Sequence, residues 1–123
     1  MWKLKKSKIH GSGIYATKSI PKNTKIIEYI GEKINRRTGD KRSADRIKRY
    51  LNSSKEGSVY IFELNKKYDI DGSPEYNKAR YINHSCDPNC EVDIIKEQIW
   101  ISSIKKIKVG EELTYDYGYS FDK

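Results

Sequence analysis

Eleven residues from Arg80 to Cys90 concentrate the groups in this sequence that could bind a ligand or take part in chemistry. The run reads Arg-Tyr-Ile-Asn-His-Ser-Cys-Asp-Pro-Asn-Cys, so imidazole, amide, hydroxyl and thiol groups lie side by side. Pro88 disfavours helical geometry at Asp87, and Asn, Asp and Ser favour turns, so we expect a structured loop. Loops this dense in donors and acceptors commonly bind a ligand.

A metal site is one interpretation of this loop. His84, Cys86 and Cys90 offer three soft ligands, with His10 as a distant fourth. The spacing lacks the Cys-x-x-Cys pair of ordinary zinc modules, which disfavours this interpretation. A buried cysteine in a capped turn is the alternative, but it leaves Asn83 beside His84 unexplained. The two cysteines lie four apart in a tight loop, which favours free thiols over a disulfide.

Length and composition set the limits within which this loop must be positioned. A chain of 123 residues, 36% hydrophobic and 34% charged, predicts one domain over 1–123 with an economical core. No apolar run approaches the roughly eighteen residues of a membrane span, and the basic N-terminus is followed by no apolar stretch. We therefore expect a soluble, intracellular protein of the cytoplasm, nucleus or nucleoid, without a signal peptide or membrane partner.

The net charge of +8 favours an anionic partner or a site that attracts one. Lysine outnumbers arginine nineteen to six, and lysine is the common solvating residue of protein surfaces. A basic solvated surface and a nucleic-acid face therefore both remain open.

Short strands with one helix between them account for the rest of the chain. The helix is predicted over 38–51, because Ala44, Ile47 and Leu51 recur three and four apart, and its basic face is predicted to be solvated. A helical turn is predicted at 77–82, and Gly11-Ser12-Gly13 is predicted to be a tight turn. Strands are predicted at 2–9, 14–16, 25–30, 32–34, 59–64, 67–71, 91–95, 98–104 and 112–119. The fold class is mainly β with one short inserted helix.

Tyrosines alternate along the last predicted strand. Tyr115, Tyr117 and Tyr119 would place three phenols on one face of that strand. Taken alone, this pattern is equally typical of ordinary sheet packing.

Four motifs in a fixed order give these residues a common context. They are Gly11-Ser12-Gly13, Tyr29-Ile30-Gly31, the run from Arg80 to Asn89, and the ending Glu-Leu-Thr-Tyr-Asp-Tyr at 112–117. In wording and order they resemble the SET-domain lysine methyltransferases, and the last two motifs are highly specific. The resemblance covers essentially the whole chain, with a variable insert at about 35–58. It implies a β-clip-like fold of small sheets with a pseudoknot. The pseudoknot is formed by the loop from Arg80 to Cys90, which we call the dense loop, and the C-terminal segment.

The resemblance also implies an activity, an S-adenosylmethionine-dependent protein-lysine N-methyltransferase. It matches Tyr117 to the catalytic phenol, Tyr29 to a wall of the lysine channel, and Tyr115 to the aromatic position that influences how many methyl groups fit. Tyrosine rather than phenylalanine at 115 favours mono- or dimethylation. The resemblance assigns the cofactor pocket to Gly11, Ser12, Gly13, Tyr60, Arg80, Asn83, His84 and Tyr117. No metal is needed for the reaction.

Departures from the family suggest a minimal form without cysteine-rich segments before or after the domain, so no zinc is expected. Phe121, a second copy of the chain in a homodimer, or the substrate would then close the lysine channel. The expected partner is a protein that presents a lysine, such as a histone or another DNA-associated protein, and nucleic acid is not required. A local acidic rim is predicted from Glu28, Glu63, Asp69, Asp71, Asp87, Glu91 and Asp93. The alternative function is a non-catalytic basic module that binds nucleic acid or protein on the same scaffold.

Overall fold

Short strands dominate the structure, a computed structural model that describes residues 1–53 and 60–117. The strands are β1 (Trp2–Lys6), β2 (Ser12–Ala16), β3 (Lys25–Tyr29), β4 (Glu32–Asn35), β5 (Ile61–Glu63), β6 (Tyr68–Asp71), β7 (Asn83–His84), β8 (Cys90–Ile95), β9 (Gln98–Ser103) and β10 (Thr114–Tyr115). Helix α1 (Arg36–Ser53) lies between β4 and β5, and a 3-10 helix (Lys78–Tyr81) leads into β7. The predicted class, mainly β with one inserted helix, is confirmed.

Four small sheets are formed by the strands of the described residues. β1 pairs with β2, β3–β9–β8 form one three-stranded sheet, β4–β6–β5 form another, and β7 pairs with β10. The β7–β10 pair is parallel, whereas the other pairs are antiparallel. Each sheet therefore has few strands, and the core must be built where the sheets meet.

The β8–β9 hairpin turns at Lys96 and Glu97, as predicted. Both residues have positive φ, 50° and 62°, which is the backbone of the turns that match the twist of a two-residue hairpin. The hairpin places Ile99 opposite Tyr29 and Ile101 opposite Ile27 on β3. Isoleucines thus fill the centre of the core, whose buried members are Ile14, Ala16, Ile20, Ile26, Ile27, Tyr29, Leu64, Ala79, Ile82, Cys90, Ile99, Ile101, Ile107, Leu113 and Tyr115.

Helix α1 begins two residues before its predicted start. The side-chain oxygen of Asn35 accepts the backbone N–H of Thr38 at 2.8 Å, which caps the first turn. The apolar periodicity does not reveal this cap, because Asn35 and the two arginines after it are polar. The helix therefore begins at Arg36.

The basic face of α1 is partly paired rather than solvated, which corrects the prediction. Arg42 and Arg46 contact the carboxylate of Asp71 at 2.7 and 2.8 Å, and Arg36 contacts Asp69 at 3.0 Å. Because Asp69 and Asp71 are two residues apart on β6, both carboxylates lie on the side of the strand that faces the helix. The inserted helix is thus attached to the β4–β6–β5 sheet by ion pairs.

Asp69 and Asp71 are buried, so they cannot belong to an acidic rim on the surface, and the rim prediction is wrong for these two residues. Burial works to raise the pKa of Asp71, but hydrogen bonds from Arg46 and Arg42 outweigh it and hold that pKa well below its usual range. For Asp69, burial is the larger effect, and it raises the pKa against the opposing charge of Arg36. The sequence alone did not show that arginines of α1 pair with these two carboxylates.

The two segments expected to form the pseudoknot lie side by side. Thr114 pairs with Asn83 and Tyr115 with His84 in the parallel β7–β10 pair. Asn89 adds a side-chain clamp, because its Nδ2 donates to the carbonyl of Glu112 at 2.9 Å and its Oδ1 accepts the Thr114 N–H at 2.9 Å. One amide side chain therefore substitutes for a strand edge and fixes the register of the C-terminal segment.

Two local predictions are wrong in extent. Ser12 and Gly13 belong to β2 rather than to a turn, and only Gly11 of that triplet lies before the strand, with a φ of +50°. The long strand predicted at 112–119 is reduced to Thr114–Tyr115 within the described residues. The prediction for Tyr119 lies outside the described residues.

Candidate functional site

An aromatic cluster joins the three tyrosines that the sequence analysis singled out as catalytic candidates. The ring of Tyr29 meets Phe62 edge-on at 4.5 Å between centroids, and Phe62 lies 6.1 Å from Tyr115. Tyr115 in turn lies 4.7 Å from Tyr117. Aromatic pairs at these distances attract each other by about 1 kcal/mol beyond their burial. Residues from β3, β5 and the C-terminal segment thus form one aromatic wall.

Tyr29 is the fixed end of this wall. Its hydroxyl donates to the backbone carbonyl of Tyr60 at 2.9 Å, and its ring is buried. Burial, reinforced by nearby acidic groups, raises its pKa far above the ordinary value, so the phenol stays protonated. A Cβ on Gly72 would collide with the ring of Tyr29, so a glycine is needed there. The side chain of Tyr29 therefore serves as a rigid surface rather than as an acid or base.

Tyr117 is the exposed end of the wall, and it is held from both its backbone and its side chain. Its hydroxyl donates to the carbonyl of Ile82, and its backbone N–H donates to Nδ1 of His84 at 3.0 Å. The rings of His84 and Tyr117 also meet edge-on at 5.2 Å. The phenol is thus oriented by the residues of the dense loop.

The hydrogen bonds of His84 identify its tautomer. Because Nδ1 accepts the N–H of Tyr117, the ring proton is on Nε2, which lies 3.4 Å from the sulfur of Cys86. Asp116 also lies 3.7 Å from Nδ1. Through this acceptor Nδ1, His84 is a residue that positions Tyr117.

A carboxylate links the N-terminal loop to the dense loop. Oε2 of Glu112 accepts from Nδ2 of Asn83 at 2.8 Å and from Oγ of Ser7 at 2.8 Å, and Oε1 accepts from the Tyr15 hydroxyl at 3.0 Å. A Cβ on Gly13 would collide with Oε2, so the strand can approach the carboxylate only with glycine there. The four side chains Ser7, Tyr15, Asn83 and Glu112 form a single polar cluster.

Asn83 also reaches the backbone of the loop before β2. Its Nδ2 lies 3.1 Å from the carbonyl oxygens of both His10 and Ser12. Gly11, between them, is exposed and has the left-handed backbone that favours glycine. The cofactor candidates Gly11, Ser12, Gly13 and Asn83 are therefore brought together around one amide group.

Arg80 and Tyr60 form a separate stack. The guanidinium of Arg80 lies 4.4 Å from the ring centroid of Tyr60 and 5.0 Å from that of Tyr81, and Nη1 donates to the Tyr81 hydroxyl at 3.1 Å. Within the part of the chain that the structure describes, Nε of Arg80 is buried and has no hydrogen-bond partner. A buried donor without a partner is costly, so this nitrogen suits an acceptor on a ligand.

Four residues of the site were missed from the sequence: Phe62, Ser7, Tyr15 and Glu112. Phe62 bridges Tyr29 and Tyr115 and was treated only as strand content. Glu112 is the first residue of the motif at 112–117. Its place there, next to Leu113-Thr114, was the one sign in the sequence that it belongs to the site. Nothing in the sequence marked Ser7 or Tyr15.

No group of three or more His, Cys, Asp or Glu side chains in residues 1–53 and 60–117 is arranged to hold a metal ion. Cys86 is exposed and Cys90 is buried, and neither is in a disulfide, as predicted. Burial raises the pKa of Cys90 to about 12, so its thiol is protonated at neutral pH. Cys90 acts as a core residue.

Small sheets around a clamped C-terminal segment, together with the aromatic wall and the polar cluster, define the class of domain. A family model described as SET domain matches residues 11–118. The chain belongs to the SET domain family. Among the described helices, none is long and apolar enough to cross a membrane.

Three curated proteins are similar in sequence to most of this chain. Human histone-lysine N-methyltransferase 2D is 39% identical over 123 residues, which cover 97% of this chain and 2% of that protein. Histone-lysine N-methyltransferase trr of Drosophila melanogaster is 42% identical and is covered over 5% of its length. The H3 lysine-4 specific histone-lysine N-methyltransferase of Schizosaccharomyces pombe is 40% identical, covering 92% of this chain and 12% of that protein. The chain thus spans a small part of each of these relatives.

A solved structure gives the same result for the fold. The structure of ctPRC2 in complex with H3K27me3 and H3K27M contains a chain that superposes with a TM-score of 0.80. The two chains are 30% identical, and the match covers 100% of this chain and 15% of that one. The SET-domain fold predicted from the motifs is confirmed.

Proposed function

We propose that this SET domain is a protein-lysine N-methyltransferase that uses S-adenosylmethionine. The observation that carries the proposal is the convergence of Tyr29, Tyr115 and Tyr117 in one aromatic wall, with His84 holding Tyr117. Tyr29, His84 and the pair Tyr115 and Tyr117 come from three distant parts of the sequence, and the wall runs from the buried Tyr29 and Tyr115 to the exposed Tyr117. The names of the relatives support the same class of reaction.

The residues around the dense loop fit the proposed cofactor. Gly11 is exposed, which allows a ligand to approach the backbone closely. The unpartnered Nε of Arg80 suits a carboxylate, and the ring of Tyr60 beside it offers an apolar surface. Asn83 holds the backbone beside Gly11, and His84 holds the backbone of Tyr117. When bound, S-adenosylmethionine supplies an electrophilic methyl group on a sulfonium.

The aromatic wall would prepare the substrate amine. Lysine has a reference pKa near 10.4, so a neutral amine at pH 7 costs about 4 to 5 kcal/mol. A channel lined by Tyr29, Phe62 and Tyr115 disfavours the charged ammonium by excluding water, which lowers the lysine pKa. The phenol oxygen of Tyr117, fixed by Ile82, would orient the amine and the methyl group for in-line transfer.

The product is proposed to be mono- or dimethyl-lysine. Tyr115 is buried and its ring contacts both Phe62 and Tyr117, so its hydroxyl is held close to the proposed channel. A phenol there takes up space, and can hold a water, that a further methyl group would need. This proposal depends on the single hydroxyl group that distinguishes tyrosine from phenylalanine.

The substrate is proposed to be a lysine in a histone or another DNA-associated protein, because several relatives carry the name H3 lysine-4 specific. Such a substrate would place the protein in the nucleus or nucleoid. A homodimer that completes the lysine channel remains a prediction, which sedimentation of the purified chain would test.

Calorimetry with S-adenosylmethionine, followed by mass spectrometry of histone H3 incubated with both, tests the proposal. We expect micromolar binding and the stepwise addition of methyl groups to lysine. Folded protein that binds no S-adenosylmethionine, alone or with substrate present, would overturn the enzymatic proposal and leave the non-catalytic binding module. Cofactor binding without transfer to histone H3 would instead reject H3 as the substrate.

A further inference from the structure

Two segments of this chain contain lysines and no acidic residues. Residues 1–27 hold seven lysines, and residues 103–110 hold three, without a single Asp or Glu in either segment. The rest of the chain carries fifteen basic residues against 17 acidic ones, a balance of minus two. The whole positive excess of the protein is therefore confined to these two segments, which we call the basic region.

The fold joins the two segments of the basic region into one surface. Ala16 N–H donates to the carbonyl of Glu111 at 2.9 Å, and Gly110 N–H donates to the carbonyl of Ala16 at 2.8 Å. Ile20 and Ile107 form a β-bridge with both of their N–H···O bonds made. Asn23 N–H donates to the carbonyl of Ser103 at 2.9 Å. Residues 16–23 of the first segment are thus neighbours of residues 103–111, which lie 80 to 95 positions away in the chain.

The basic region exposes its lysines to a partner, although Lys5 Nζ also lies 4.2 Å from the ring centroid of Tyr15 and Lys25 Nζ 5.3 Å from that of Trp100. All ten lysines are exposed: Lys3, Lys5, Lys6, Lys8, Lys18, Lys22, Lys25, Lys105, Lys106 and Lys108. Lys105 makes a loose ion pair with Asp87 at 3.9 Å, and a carboxylate oxygen of Glu111 accepts the backbone N–H of Lys108. The Glu112 carboxylate is occupied by the polar cluster. The acidic residues that border the region therefore neutralise little of its charge.

We infer that the basic region binds the phosphate backbone of double-stranded DNA without sequence preference. Lysine ammonium groups are point charges suited to phosphates, and the region contains no arginine for bidentate readout of base edges. Its aromatic residues, Trp2 and Tyr15, are half-buried and buried, so no stacking platform for single strands is exposed there. The region consists of strands and turns, whereas basic membrane-surface segments are usually amphipathic helices.

This separation of charge resolves a difficulty for a basic protein with a proposed basic substrate. All four residues of the aromatic wall lie outside the basic region, in the part of the chain where acidic residues slightly outnumber basic ones. One part of the surface can then bind a polyanion while another part receives a lysine-rich segment. The inference rests on the charge distribution and stands whether or not the chain transfers methyl groups.

Two variants of equal net charge test the inference. The first replaces Lys3, Lys18, Lys106 and Lys108 by glutamine, and the matched control replaces the exposed Lys48, Lys66, Lys67 and Lys96, which lie outside the basic region. Fluorescence anisotropy with a labelled 20-base-pair duplex is measured from about 50 to 200 mM salt, a range over which phosphate contacts weaken strongly. Circular dichroism and S-adenosylmethionine calorimetry on both variants check that the fold and the cofactor site are unchanged.

We expect the first variant to lose about tenfold or more in duplex affinity, and its slope of log affinity against log salt to become shallower by up to about 3.6, which is 0.9 for each of four contacts. The control should stay within about threefold of the parent. Equal losses in both variants would show that total charge alone governs binding and would overturn the inference. An absence of duplex binding would also overturn the inference, whether or not the protein binds phosphatidylserine vesicles. A failure of the enzymatic proposal would appear only in the calorimetry.

Discussion

The backbone N–H of Tyr117 donates to Nδ1 of His84 at 3.0 Å, so the imidazole of the dense loop sets the position of the exposed phenol. This contact predicts that His84→Ala lowers methyl transfer by about 100-fold, since small displacements of a reacting group cost factors of this size. His84→Asn should retain most of the activity, because Oδ1 of asparagine can replace Nδ1 as the acceptor.

His84→Gln is the matched control, because its amide oxygen takes the place of Nε2 rather than Nδ1. Single-turnover rates with saturating cofactor separate this role from cofactor binding. Equal rates for the asparagine and alanine variants would contradict the positioning role.

Tyr117→Phe removes the hydroxyl that donates to Ile82 and faces the proposed site. We expect transfer to fall by about 100-fold or more, the usual cost of removing one oriented polar group at a reaction centre. Thermal unfolding and cofactor affinity should change little. Tyr76→Phe, at a tyrosine that is 60% exposed, provides the comparison and should be active. An unchanged rate for Tyr117→Phe would reject the role proposed for this phenol.

Tyr115→Phe is expected to shift the product toward trimethyl-lysine. The hydroxyl is lost while the ring contacts with Phe62 and Tyr117 are retained, so the space near the amine increases without loss of the wall. Intact-mass spectrometry over a time course would show the third methyl group. A product distribution identical to that of the parent would place the control of methylation state elsewhere.

Glu112→Gln should loosen the N-terminal loop. In the variant, an NH2 group takes the place of a carboxylate oxygen. Asn83 and Ser7 both donate to Oε2 in the parent, and a donor cannot accept from another donor, so at least one hydrogen bond is lost. We expect the free energy of unfolding to fall by about 1 to 3 kcal/mol and cofactor affinity to fall with it. Glu111→Gln, at an exposed neighbour, should cost less than about 0.5 kcal/mol. Urea denaturation of both variants makes the comparison, and equal costs would contradict the structural importance of Glu112.

Asp71→Asn tests the attachment of helix α1. The pKa of Asp71 is depressed in the folded protein, so its contribution is fully present above the unfolded pKa near 3.9 and is lost as the pH falls from there through the lower pKa of the folded state. The variant should be about 2 kcal/mol less stable at pH 7 and should show a flatter loss of stability in acid. Asp45→Asn, which breaks only an exposed pair with Lys41, should change stability by less than about 0.5 kcal/mol. If the free energy of unfolding fell equally steeply in acid for Asp71→Asn and for the parent, this interpretation would be contradicted.

Local patterns predicted the elements whose signals lie within a few residues. The β8–β9 hairpin and its turn at Lys96 and Glu97 follow from β-branched runs on both sides of a polar pair. Helix α1 follows from its apolar spacing, apart from the Asn35 cap. The free thiols of Cys86 and Cys90 follow from their short separation.

Contacts between distant residues were not predictable in the same way. Asp69 and Asp71 seemed to belong to the surface because the arginines that pair with them lie some thirty residues earlier on α1. The Ser7, Tyr15 and Glu112 contacts join opposite ends of the chain, and neither periodicity nor composition encodes such a meeting. The ordered motifs identified the site only because they resemble a known family.

The polar cluster also dictates when the site can exist during folding. Glu112 reaches Ser7 across 105 residues and Tyr15 across 97, and the Asn89 clamp must close on the same segment. Closing loops of this length is entropically expensive, and such contacts form late in folding. Tyr115 and Tyr117 lie in the segment that these long-range contacts attach, so the aromatic wall is complete only once the contacts of Glu112 and Asn89 have formed.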